Sequence, residues 1–403
     1  HIFVMNSCSF SIKFRLYDIV LEILLISDTL KRIGETNANL VYHEHAASGD
    51  IEAHEEHLSI TDHAAGLKQI FSILEDSNAP GSIKSLHAIG HRVVHGGESF
   101  LTPILIDKSV IDTISAMIPL APLHNPANLA GIETARQLFP QVPQVAVFDT
   151  AFFQTLPAHA YRYALPDELY NKHHVRRYGF HGTSHQYVAR QAAEYLQQPL
   201  KSLRLITLHL GNGASAAAIR DGVCIDTSMG MTPLEGLIMG TRCGDLDPSI
   251  HFYLSRTLGM DLNEIETLLN YNSGMKGLCG AKDMREVHRL ANKGDDQSRQ
   301  AIDMYCYRII KYIGAYYTAL GGLDALVFTA GIGENDSLVR QSVCNGLTAL
   351  GITLDHERNR SAASTDFEIS TKTSQVKVLV VATNEELEIA HQTVAIINKC
   401  SSS

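Results

Sequence analysis

The stretch from Leu203 to Ile225 limits what this chain can fold into more than any other part of it. Leu203–Leu210 is an apolar run of strand length, followed by Gly211-Asn212-Gly213-Ala214-Ser215-Ala216. That motif satisfies Gly-x-Gly-x-x-Ala, the outline of a dinucleotide-binding turn, which requires a helix to begin on the glycines. No helix pattern follows. The chain runs through Ala217-Ala218-Ile219 to Arg220-Asp221-Gly222 and Val223-Cys224-Ile225, and Asp-Gly between short apolar runs marks a hairpin. Strand, glycine turn and strand succeed one another, with turn amides free to approach a phosphate chain. A Walker-type loop is excluded, because the sequence contains no Gly-Lys dipeptide.

Other apolar runs, Val145–Phe148, Leu323–Ala330 and Val376–Val381, also read as buried strands. Helical patterns cover Ser184–Leu196, Asn263–Leu269, Gln297–Leu320 and Glu385–Asn398, and another follows Asn125-Pro126, read as an N-cap with proline at the first helical position. Interleaved strands and helices predict an α/β fold. A chain of 403 residues suggests two domains, with a boundary just after Asp149. The strand–turn–strand at Phe3–Phe14 is a faint echo of Leu203–Ile219.

Basic residues number 33 and acidic residues 43, a net charge of −10 that excludes a broad basic footprint for nucleic acid. An anionic substrate then needs a local cluster of arginines. Seven cysteines without a Cys-x-x-Cys pair favour a reducing, cytoplasmic setting. The apolar stretch Ile19–Ile26 is too short to span a membrane, and no membrane role is expected. His43, His45, His54, His57 and His63 lie among acids without His-Glu-x-x-His, and read as an exposed polar hairpin or loop rather than a metal site.

Several polar groups sit where glycines or strand ends would expose them. Arg92 lies in Gly90–Glu98, Arg242 between Gly240 and Gly244, and His181 on a glycine-flanked turn before a helix. Asp149 closes a strand, where sites of α/β proteins collect. His124 and His209 taken singly read as structural histidines. Gly331 and Gly333, in Phe328–Asn335, read as a second strand-to-helix glycine turn over which a nucleotide could lie. Thr383 with Glu386 fits a capping box, leaving Glu385 unassigned.

Read together, GHRVVHGGE (90–98), APLHNPANL (121–129), VAVFDTAF (145–152), RRYGFHGTSH (176–185), HLGNGAS (209–215), DTSMGMTPLEGL (226–237), GTRCGD (240–245), FTAGIGEN (328–335) and TNEE (383–386) resemble the acetate kinase family of the actin-like, sugar-kinase superfamily. The resemblance implies two related ribonuclease H-like α/β domains around a central cleft: an acyl-kinase domain, 1–149 plus 385–403, and a nucleotide-binding domain, 150–384. It implies a homodimer that phosphorylates acetate with ATP, giving acetyl phosphate and ADP, with Mg²⁺ (or Mn²⁺) as the metal. Propionate is the alternative acceptor. On the matching positions, Arg92 and Arg242 hold the acyl carboxylate and moving phosphoryl group, and His181 stabilises the transition state beside His124 and His209. Asp149, Glu385 and Asn6 organise the metal. Val94, Leu123, Phe180 and Pro233 line the acyl pocket. Lys13, His209, Leu210, Gly211, Asn212, Gly213, Asp283, Met284, Arg285, Gly331, Ile332, Gly333 and Asn335 serve the nucleotide.

The family pattern is broken at Cys8, Phe10, Phe153 and Cys243, which stand where a glycine, a serine, a histidine and a serine are usual. Two other classes of function stay open at this point: an NAD-dependent oxidoreductase using residues 211–216, and a catalytically weakened nucleotide-binding relative. A carboxylate acceptor needs no general base, since its pKa of about 4–5 leaves it ionised at neutral pH.

Overall fold

The computed structural model describes residues 1–8, 11–35, 37–45, 51–76, 86–122, 124–361 and 368–401. Its contacts divide the chain into two units, His1–Gln154 with Asn384–Ser403, and Thr155–Thr383.

The first unit is built on a sheet of β1 (Ile2–Cys8), β2 (Ser11–Asp18), β3 (Ile23–Lys31), β4 (Ala38–His45), β5 (Ile51–Leu58), β6 (Ala88–Val93), β7 (Ile104–Leu105) and β8 (Gln144–Phe148), in the order β5-β4-β3-β2-β1-β6-β8-β7. β1 to β5 form an antiparallel meander, whereas β6 runs parallel to β1 and β8 parallel to β6. Side chains along β1 alternate between two cores, as strand periodicity demands. Phe3 and Met5 pack with Phe71 of helix His63–Asp76 and Ala135 of helix Asn125–Leu138, while Ile2 and Val4 pack with Ile389 and Ala390 of the C-terminal helix Glu385–Ser401. Gly90 lets that helix approach, because a Cβ there would lie 2.5 Å from Thr393 Oγ1 and 2.9 Å from Ile389 Cγ2.

The second unit repeats the plan. β9 (Arg204–Leu210), β10 (Ala214–Arg220) and β11 (Val223–Thr227) form an antiparallel meander, and β12 (Ala325–Thr329) and β13 (Lys377–Val380) add in parallel, in the order β11-β10-β9-β12-β13. That order matches β3-β2-β1-β6-β8 strand for strand, so the echo between Phe3–Phe14 and Leu203–Ile219 is a repeated topology. The Asp221-Gly222 hairpin joins β10 to β11, and no helix starts at Gly211.

Three local expectations need correction. The cap of helix Asn125–Leu138 is His124, not Asn125. Asn125 is buried and its carboxamide serves the backbone of His95, accepting from the N–H at 3.2 Å and donating to the C=O at 3.0 Å. Asn384 caps the C-terminal helix by accepting from Leu387 N at 3.1 Å, whereas Thr383 Oγ1 bonds Ser184 Oγ and Glu386 pairs with Arg15 at 3.7 Å. The second glycine turn is helical, since helix Ala330–Asn335 starts directly at the end of β12. Its first residue, Ala330, takes φ of 64°, held by its N–H on Glu334 Oε1 at 2.8 Å. Cys8, where the family pattern has a glycine, ends β1 in extended backbone opposite Ser11. Phe10 lies outside the described residues. The histidine-rich segment is largely the β4–β5 hairpin, where Tyr42 stacks on His54 at 4.5 Å.

Candidate active site

In the first unit the carboxyl ends of parallel β1, β6 and β8 bring Asn6, Arg92 and Asp149 to one edge of the sheet, the usual location of α/β sites. Arg92 forks onto Asp149, with Nε–Oδ1 at 2.9 Å and Nη2–Oδ2 at 2.7 Å. Its third nitrogen, Nη1, lies 3.6 Å from Glu385 Oε2, at the start of the C-terminal helix. Lys13, opposite Asn6 in the β1–β2 register, adds a positive charge that Glu385 feels.

Burial pushes the Glu385 carboxyl up; Arg92 opposes that shift, while Asp149 and Glu386 reinforce it. Two carboxylates thus face the Arg92 guanidinium, with the Lys13 ammonium as a further counter-charge. This oxygen-rich set fits a hard divalent cation such as Mg²⁺, which takes one or two carboxylates and keeps its waters. Val94 N donates to Asn128 Oδ1 at 3.1 Å, and Asn128 in turn donates to Ser7 O at 2.7 Å, so the segment after Arg92 is tied to the end of β1. His124 is partly buried at its cap position. Leu123 lies outside the described residues.

In the second unit His181 caps helix Gly182–Tyr195 from a left-handed backbone, φ 61°. A non-glycine residue there is strained by about 1 kcal/mol or more. The ring is fixed by a 2.8 Å hydrogen bond between Nδ1 and Ser215 Oγ, which also bonds His185 Nε2 at 2.8 Å. Burial holds His185 well below its ordinary pKa, so it stays neutral. His209 stacks on His181 with ring centroids 4.1 Å apart and bonds Ser184 Oγ through Nδ1 at 2.8 Å.

Gly213 lies against this pair: a Cβ there would stand 3.5 Å from His181 Nε2 and 3.5 Å from Arg242 Nη1. The Arg242 guanidinium donates to Pro233 O at 3.2 Å and approaches Met239 Sδ at 3.7 Å. No carboxylate pairs with it among the described residues, and burial lowers its pKa. A guanidinium withdrawn from water without a carboxylate counter-charge is available to an anion. Phe180 is buried immediately before His181. Cys243 is half-buried, donates to Gly244 O, and has its thiol pushed up to about 11 by burial, so it stays protonated.

The same unit holds a pocket of about 870 Å³, a size that suits a nucleotide. One wall is the Gly211-Asn212 turn, another Asp283, Met284 and Arg285 at the start of helix Met284–Asn292, and a third Gly331, Ile332 and Asn335. A Cβ on Gly331 would meet nothing within 4 Å, so its open face is the pocket floor. Asp283 caps its helix through Arg285 N, and the Arg285 side chain folds back on it, holding the carboxyl at about 2. Leu210 and Gly333 are buried and pack toward each other rather than line the pocket. Gly213 faces His181 instead. Sequence reasoning missed Lys282, His288, Asp336, Ser337 and Leu338, which also line it. The His288 Nε2–Asp336 Oδ2 bond at 2.8 Å crosses one wall, and Asp336-Ser337 carried a readable helix-start signal.

Comparison with known proteins adds that residues 1–391 match the acetokinase family model. The chain is 52% identical over 402 residues to an acetate kinase of Syntrophobacter fumaroxidans, covering 99% of this chain and 97% of that one. It is 49% identical over 398 residues to an acetate kinase of Helicobacter acinonychis, covering 99% of each. Among solved structures, an acetate kinase of Porphyromonas gingivalis superposes with a TM-score of 0.91 at 43% identity, over 98% of this chain and 99% of that one. A propionate kinase of Francisella tularensis does so at 0.92 and 43%, with the same coverage.

Proposed function

The chain belongs to the acetokinase family, and on that premise we propose that it transfers the γ-phosphoryl group of ATP to acetate, reversibly, giving acetyl phosphate and ADP. The observation that carries this reading is Arg242, a guanidinium without a carboxylate partner among the described residues, set beside Gly213 and His181.

The acceptor arrives ionised, so no residue has to remove a proton; the obstacle is repulsion between two anions. Arg92 and Arg242 bind the carboxylate and the phosphoryl oxygens and offset that repulsion, and His181, oriented by Ser215, donates to the oxygens as charge builds. His124 and His209 support this arrangement. Asn6, Asp149 and Glu385 would hold Mg²⁺ through its waters, and the ion when bound neutralises phosphate charge. Val94, Phe180 and Pro233 exclude water from the methyl group, and the 870 Å³ pocket takes the nucleotide. The first unit serves as the acyl-kinase domain and the second as the nucleotide-binding domain.

The working form is a cytoplasmic homodimer. Helix Ser249–Leu258 has no buried residue, and Phe252, Tyr253 and Leu258, with Leu262 of the next helix, are 59–79% exposed, an apolar surface suited to a second copy. Light scattering on the purified chain tests this: twice the chain mass is expected, and a monomer refutes it.

Trapping acetyl phosphate as its hydroxamate with ATP, Mg²⁺ and acetate tests the activity. Abundant hydroxamate is expected; none, with ATP bound, leaves a nucleotide-binding relative. The Francisella relative keeps propionate as a second reading. Val94 favours acetate, though one methylene is worth only ~1–3 kcal/mol. Comparing kcat/KM for acetate, propionate and butyrate decides it.

A further inference from the structure

We propose that Glu235 is a positioning residue that holds Pro233, Arg242 and His181 in one arrangement and so sets acyl selectivity; this rests on the acyl-kinase reading above. Among the described residues, no hydrogen bond or ion pair joins Glu235 to a residue assigned to the reaction. Its carboxylate instead braces the loop that carries Pro233. Oε1 accepts from Arg177 Nη2 at 2.5 Å, and Oε2 accepts from the Tyr163 hydroxyl. Both partners reach back into the same loop. Arg177 Nη1 donates to Ser228 O at 3.1 Å and Met229 O at 3.0 Å, and the Tyr163 hydroxyl accepts from Met231 N at 3.0 Å.

The carboxylate therefore joins the two ends of the 228–235 loop through two side chains. Gly230 makes room for it, since a Cβ there would overlap both Glu235 Oε2 and the Tyr163 hydroxyl. The Gly230 carbonyl accepts from Tyr178 N at 3.0 Å and Gly179 N at 3.3 Å, just before Phe180 and His181. Two residues before Glu235, the Pro233 carbonyl takes the Arg242 guanidinium at 3.2 Å. One loop thus fixes the proline wall, the unpaired cation and the approach to the histidine. Burial and Glu235 both raise the Tyr163 pKa, and Glu235 raises that of Arg177 against the effect of burial, so the phenol stays protonated as a donor and the guanidinium stays charged at neutral pH.

The test is steady-state kinetics of the full-length Glu235→Gln variant, with acetate and propionate at saturating ATP and with ATP at saturating acetate. Loss of a charged hydrogen bond predicts a fall of about tenfold in kcat/KM for acetate. A displaced Pro233 shifts the propionate-to-acetate ratio by about threefold or more. KM for ATP stays within about twofold, because the nucleotide pocket stands on other elements. Gly230→Ala, which keeps the charge but displaces it, gives the same pattern. If Glu235→Gln fails to fold, Tyr163→Phe carries the comparison. An unmoved ratio, or equal changes for acetate and ATP, overturns the positioning role. A wild-type chain that forms no hydroxamate refutes the acyl-kinase reading itself, whereas an active wild type with an unmoved variant ratio refutes only Glu235.

Discussion

Arg92 and Arg242 meet their surroundings in opposite ways. Arg92 is forked onto Asp149 with Glu385 beside it, whereas among the described residues Arg242 bonds only a carbonyl and a thioether. Replacing Arg242 with alanine removes a charge that burial disfavours, so the thermal midpoint should hold while kcat falls about a hundredfold, the ~3 kcal/mol usual for a lost charged donor. Parallel melting and hydroxamate assays check both halves; near wild-type kcat contradicts the role. Glu385 carries the reverse expectation. Its raised pKa means the folded state bears the cost of its charge above that pKa and sheds it on acidification. Glu385→Gln should therefore raise the metal-free melting temperature at pH 8 by about 1–3 °C while abolishing turnover. A lower melting temperature would contradict this account of the carboxylate cluster. These charged residues were legible as motif members, but their partnerships were not: Arg92 and Asp149 are 57 positions apart, and only the adjacent β6 and β8 bring them together.

At the level of strands and helices, periodicity located the buried strands to within two residues or so, and the Asp221-Gly222 hairpin decided against a dinucleotide fold. Caps were misread, because a cap depends on which backbone groups lie nearby. Asn125 is occupied by His95, and Asn384, rather than Thr383, receives the Leu387 amide in the first turn of the C-terminal helix. Asn384 Oδ1 also accepts from Arg15 Nη1 and the Tyr17 hydroxyl, each at 3.2 Å. Asn384→Ala should destabilise the protein by about 1–2 kcal/mol in urea unfolding. Since Glu385 is the next residue, activity should fall further than stability accounts for. An unchanged unfolding midpoint would assign the cap elsewhere. The pocket wall from Lys282, His288 and Asp336 was harder to read for a related reason: the helix start at Asp336 was legible, but not its meeting with His288 on a helix 48 positions away.

Across the whole molecule, each unit buries a neutral histidine: His91, held to about 4 on β6, and His185, held well below its ordinary value behind His181. Burial is the leading cause for both, so the unfolded chain binds protons that the folded chain refuses. Stability is then unaffected above pH 6.5 and falls below it, by about 1.4 kcal/mol per pH unit for each histidine until the folded pKa is reached. Urea titrations at pH 7 and 5 measure the slope, and a flat profile would show that these rings are not kept neutral. Sequence gave only a hint of the repeated strand order, because two sheets of one topology share almost no residues that a motif could register. The C-terminal helix has a further consequence. It completes the first unit's core and delivers Glu385, yet it leaves the ribosome only after the entire second unit. A nascent chain can mature its second half while its first half still waits for a lid, so chains interrupted near the end should accumulate as half-built, inert molecules that display an open β-sheet face to the cell's quality-control machinery.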